Sequence, residues 1–125
     1  MNELLKMVKR GDIIEIQRLV QAKVGLNEED SQGWTPLFMA AGKGDVRALD
    51  VLIEAGADVN HGSETGFTPL FSAVVSGHPK AVKVLLDAGA SAGIKVDGKS
   101  LTKYIGAKGS SREEIFRMLK DSGAE

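Results

Sequence analysis

Proton transfer or metal ligation near neutral pH would have to start from His61 and His78, the only two histidines in a chain that has no cysteine. Neither keeps the company such chemistry needs. His61 follows Asn60 in a turn-like stretch and His78 directly precedes Pro79 at a helix start, with no cluster of His, Asp and Glu at ligand spacing around either. Polar residues are routine at such places, so both are read as structural. Gly106-Ala-Lys-Gly-Ser-Ser111 superficially resembles a phosphate loop, but it lacks the G-x-x-x-x-G-K-[ST] spacing and follows no strand. A helix opening at Ser110, Ser111 and Arg112 would hold an anion weakly. Ser111-Arg112-Glu113-Glu114 also makes a capping box, which is the favoured reading. The chain is therefore read as non-enzymatic, with no catalytic residue, cofactor or metal.

What remains is recognition, and its chemistry is bounded by composition. A formal net charge of −1 and a pI near 6.1 argue against nucleic acid or an anionic membrane as partner, because both are held by an excess of Lys and Arg. The 125 residues suit one domain, and 42% hydrophobic with 26% charged content is ordinary for a globular protein. The first residues, MNELLKMVKRGDIIEI, are interrupted by charge every few positions, unlike a signal peptide, and no stretch of about 18 apolar residues exists to span a bilayer. A cytoplasmic monomer is expected.

The elements that must position any recognition surface are set by an internal repeat. Asp30 to Asn60 returns in Ser63 to Ala90: Thr35 and Thr68, Pro36 and Pro69, Gly44 and Gly77, Leu52 and Leu85, and Gly56 and Gly89 match at an offset of 33 residues. In each copy Thr caps a short helix and Pro fits its first position. A Gly then breaks the chain, and a second helix carries Leu49, Leu52 and Ile53, or Val82, Leu85 and Leu86, at helical spacing. The unit is a helical hairpin, and Ala57 to Gly66 and Ala90 to Gly98 read as extended turns between units. Glu3 to Arg10, with Leu4, Met7 and Val8 on one face, and Ile13 to Ala22, opened by an Asp12-x-x-Glu15 box, form an eroded first copy. A fourth copy is shifted by one residue before its first helix, and its last helix is expected to open at Ser111. The copies span approximately 1–29, 30–62, 63–94 and 95–125 of a single domain.

Gly33-Trp34-Thr35-Pro36-Leu37 and Gly66-Phe67-Thr68-Pro69-Leu70, each followed by Ala, Gly, a paired aliphatic and Gly-Ala, resemble the ankyrin repeat, as does Gly56-Ala57-Asp58-Val59-Asn60. The resemblance covers the whole chain, strongly in the two central copies and weakly at the ends. It implies an all-α repeat solenoid of about four copies, helix pairs with β-turn fingers, the first and last copies acting as caps. Two departures bear on packing. The His that usually follows Thr-Pro-Leu is Phe38 and Phe71 here, which are expected to pack between adjacent copies, and Leu101 and Thr102 replace Pro-Leu in the last copy. Leu52 with Asp58-Val59-Asn60 looks like the site that asparaginyl hydroxylases modify in some ankyrin proteins; Asn60 can equally bond the turn backbone.

The positions left over on the inner side of the first helices form columns: Lys6, Lys9 and Arg10; Met39, Gly42 and Lys43; Ser72, Val75 and Ser76; Tyr104, Ala107 and Lys108. The fingers add Ser31, Gln32 and Trp34, then Glu64, Thr65 and Phe67, then Val96, Asp97 and Lys99. The resemblance implies that a protein partner is bound through these positions, with the aromatics and Met39 as anchors. Trp34, Phe67 and Tyr104 are as readily internal packing residues. Basic inner-helix ends (Lys9, Arg10, Lys43, Lys108) face acidic fingers (Glu28, Glu29, Asp30, Glu64, Asp97), a pattern that suits a dipolar partner or simply a solvated surface. The expected function is a non-catalytic scaffold for protein binding. A structural or self-associating accessory solenoid is the alternative, and a small enzyme is the third reading.

Overall fold

The computed structural model describes residues 3–62 and 64–125; Ser63, which opens the third copy, and the first two residues lie outside the described residues. Helices α1 (Glu3–Arg10) and α2 (Ile13–Gln21), α3 (Pro36–Lys43) and α4 (Val46–Glu54), and α5 (Pro69–Ser76) and α6 (Pro79–Asp87) are joined pairwise by short turns into three helical hairpins. Strands β1 (Lys95–Val96) and β2 (Lys99–Ser100), a 3-10 turn at Leu101–Lys103 and helix α7 (Gly109–Asp121) complete the chain. The hairpins stack so that α1, α3 and α5 form one row and α2, α4, α6 and α7 the other. This is an all-α repeat solenoid.

The local chemistry explains why each hairpin forms. The Thr35 and Thr68 hydroxyls accept hydrogen bonds from the amides of Phe38 and Phe71, both at 3.3 Å, with Pro at the first helical position and left-handed Gly44 and Gly77 closing the helices. Eight-residue helices are unstable alone, so their stability comes from packing. Leu37, Ala40, Ala41, Leu49 and Leu52 are buried with Leu70, Ala73, Val74, Val82 and Leu85 in one continuous core. Ala40, Ala41 and Ala73 are fully buried in it, and α3 lies close enough to α5 that a β-carbon at Gly42 would be 2.7 Å from the Ser72 hydroxyl oxygen. At α2 the box is half made: Asp12 Oδ1 accepts the Glu15 amide at 3.2 Å, but the Glu15 carboxylate turns to Arg18, 2.7 Å from Nη2. Hydrogen bonding to Arg18 holds the Glu15 carboxyl below its usual range.

The last quarter departs from expectation at three points. Its first helix is only a 3-10 turn capped by Ser100, because the chain leaves helical geometry to press Gly106 onto α5. The Gly106 amide donates to Val74 O at 3.0 Å, and a β-carbon at Gly106 would lie 1.7 Å from Val75 O. The turn between copies carries an antiparallel hairpin, pairing Lys95 with Ser100 and Val96 with Lys99 around Asp97 and Gly98, both at positive φ (52° and 74°). Helix α7 begins at Gly109 with Lys108 at its cap and no side-chain cap bond, so Ser111 lies inside the first turn and the expected capping box there does not form.

Candidate protein-binding face

The first two fingers each hold one aromatic ring at the surface. Asp30 Oδ1 accepts the amides of Gln32 (2.8 Å) and Trp34 (3.0 Å), folding the first finger back on itself. In the second, the Thr65 hydroxyl donates to Gly62 O at 3.1 Å and accepts the Phe67 amide at 3.3 Å. The rings then rest on the residues that stand in the place of histidine. Trp34 stacks on Phe38 with centroids 5.1 Å apart, and Phe67 meets Phe71 edge-on at 5.3 Å. Phe71 also reaches the last quarter of the chain, 5.4 Å from Tyr104, whereas the ring of Phe38 stacks on Trp34 in its own hairpin. Trp34 remains 39% exposed and Phe67 51%.

Two concavities meet at Trp34. A groove of about 360 Å³ runs along the inner helices over Trp34, Phe38 and Met39, with Lys9 and Lys43 at its far end and Ser76 on its flank. A cleft of about 640 Å³ lies between the two fingers, lined by Gln32, Trp34, Glu64, Thr65 and Phe67 together with Glu29 and His61. The structure thus brings most of the singled-out residues onto one continuous surface. Val75 is exposed beside it, and Ser31 is exposed on the finger without lining either concavity. Lys108 lies apart, exposed at the start of α7.

Three of these residues have internal work. Ser72 is buried, its hydroxyl donating to Phe38 O at 3.1 Å across the seam between copies. The Tyr104 hydroxyl donates to Val96 O at 2.7 Å, tying the last finger to the stack. Lys43 Nζ donates to Val8 O (2.9 Å) and Lys9 O (2.7 Å) in the last turn of α1, where Val8 O also accepts the Gly11 amide at 3.1 Å. A comparable bond to the last turn of α3 and of α5 is made by different groups. The His78 ring Nε2 bonds Gly42 O at 3.1 Å, and the Gly106 amide bonds Val74 O. The last turn of each inner helix is thus bonded by a group from further along the chain, with an ammonium, an imidazole and an amide taking the role in turn.

Sequence reasoning did not anticipate these caps, because the three groups share neither residue type nor register. The turn-backbone bonding it allowed for Asn60 is seen, as one rung of a ladder at the finger bases that the 33-residue offset between Asn27 and Asn60 signals. Asn27 Oδ1 accepts the Asp58 amide at 2.9 Å; Asn60 Oδ1 accepts the Ser91 amide at 2.9 Å while its Nδ2 donates to Gly89 O at 3.1 Å. His61 pairs with Glu29 across the fingers, a contact no spacing rule foretells.

Among the described residues, no group of three or more His, Cys, Asp and Glu side chains is placed to hold a metal ion, and no helix is long and apolar enough to cross a membrane. Comparison with curated proteins yields no match. A family model described as ankyrin repeats (3 copies) matches residues 4–96, well over half of the chain. Ankyrin repeats are generally protein–protein interaction modules and typically non-catalytic. The match takes in all three helical hairpins and both aromatic fingers, and the chain belongs to the ankyrin-repeat family.

Proposed function

We propose that this chain is a non-catalytic module that docks a partner protein on its inner-helix face and fingers. The observation that carries the proposal is the pair Trp34 and Phe67: two large rings left half-exposed, side by side, each propped by a second aromatic on the helix behind it. Rigid, pre-positioned aromatics lose little entropy on binding and dominate interface energetics. Met39 adds a polarizable, adaptable neighbour in the groove. The His78 ring is taken up by a helix carbonyl, which supports a structural role for it.

Alanine at Trp34, Met39 and Phe67 tests the proposal in affinity purification from the native host. Recovery of the specific partner falls at least tenfold, by the loss of about 1.4 kcal/mol or more expected for an anchor residue. Undiminished recovery by variants with native circular dichroism would overturn it. A second reading, self-association, draws on Phe116, 44% exposed on α7. It requires a sedimentation coefficient that rises with concentration and stops rising in Phe116→Ala.

A further inference from the structure

The docking surface is basic on one side and acidic on the other. At one end of the groove stand Lys9 and Lys43; at the far side of Trp34, in the finger cleft, stand Glu29 and Glu64. Trp34, Phe38 and Met39 lie between them and form an apolar middle. Trp34 lines both concavities, so one ligand can occupy them together.

Resting on the docking reading above, we infer that the occupant is an extended segment of a partner protein with a definite pattern. It carries an acidic residue and a basic residue at opposite ends of a run of apolar residues, in either chain direction.

Each end fits its charge by more than sign. The Lys43 ammonium is already fixed by Val8 O and Lys9 O, so a carboxylate meets a positioned cation whose ordering cost is met in the fold, with Lys9 exposed beside it. The cleft offers an Arg or Lys the faces of Trp34 and Phe67 as well as the Glu64 carboxylate. Exposed charge pairs contribute under about 1 kcal/mol each. The apolar middle therefore supplies affinity, while the charges choose the sequence and its register.

Displayed random 12-residue peptides selected on the intact chain at low salt, with the Trp34→Ala chain as counter-selection, test the inference. Clones that depend on Trp34 are expected to carry Asp or Glu at one end and Lys or Arg at the other end of an apolar run. A synthetic peptide of that consensus is expected to bind the Lys9→Glu, Glu64→Lys double variant about tenfold more weakly. A peptide with the two charges exchanged should recover most of that loss. Both substitutions are at exposed positions, and unchanged urea unfolding confirms that the variant is folded. Clones that depend on Trp34 but lack the charge pairing, or a consensus peptide indifferent to the double variant, overturn the inference and leave the docking reading standing. Clones that bind the Trp34→Ala chain equally well, or a selection that enriches nothing, count against both.

Discussion

Lys43→Met separates a residue that holds the stack together from one that merely decorates its surface. Methionine keeps the long apolar stem and removes only the ammonium that bonds Val8 O and Lys9 O. A net hydrogen bond from a charged donor contributes about 1.5–3 kcal/mol when buried, and a cation at a helix C-terminus about 0.3–1 kcal/mol. Lys43 is exposed, so solvent and salt take back much of this, and water can replace part of the bonding in the variant. The expected loss is about 1–2 kcal/mol. With a urea dependence near 1.5 kcal/mol per molar, the unfolding midpoint falls by about 1 M. Hydrogen exchange localises the effect: a solenoid opens from its ends, so the amides of α1 lose protection well before those of α5. Lys43→Arg should retain most of the stability. A midpoint unmoved by more than about 0.2 M, with α1 as protected as before, would refute the capping account and return Lys43 to the free surface.

Three further perturbations follow from particular residues. Leu85→Ala empties a fully buried position between copies and should cost about 2–5 kcal/mol in urea unfolding; a loss under about 1 kcal/mol would contradict a tightly packed stack. Gly66 has a φ of 87° and sits where a β-carbon would lie 2.4 Å from Lys95 O, so Gly66→Ala should destabilise by at least about 1 kcal/mol and shift the amide resonances of the Lys95–Ser100 hairpin; an unchanged spectrum would count against this contact. The Glu15 carboxyl is depressed by its hydrogen bonds to Arg18, so its contribution is present above the ordinary carboxylate range and is lost as pH falls through its lowered value. The stability difference between the wild type and Glu15→Gln should accordingly be constant near neutrality and close in acid, and a gap that widens in acid would reverse the sign of that argument.

The fold was legible wherever a local rule repeats. Thr35 and Thr68 cap, Pro36 and Pro69 start, and Gly44 and Gly77 stop helices for reasons carried within a few residues, and the 33-residue offset then stacks the units. The final quarter was harder because two local signals compete with the repeat. Val96-Asp97-Gly98-Lys99 is a two-residue type I′ turn signal, and it marks the β1–β2 hairpin better than the weak helical pattern that follows. Gly106 has no side chain to hold a helix and is pulled onto α5 by a tertiary hydrogen bond that sequence cannot display. Around the candidate site, residue type told which side chains could bind, while only three-dimensional contacts revealed which were already engaged. Ser72, Lys43 and Tyr104 share columns with open positions, yet each spends its polar group on a neighbouring copy or finger. The aromatic props were half-legible, since Phe38 and Phe71 stand out as departures at equivalent positions but their partners four residues earlier are set by finger geometry.

The claim that the inner face docks a protein is tested most directly by photo-crosslinking in the native host. A photoreactive amino acid replaces Met39 in the groove in one chain and Arg47, exposed on α4 in the outer row, in another. The account predicts a discrete crosslinked species from position 39 that is lost when Trp34→Ala is added, and none from position 47. Crosslinking from position 47 alone, or from position 39 with no dependence on Trp34, would contradict it.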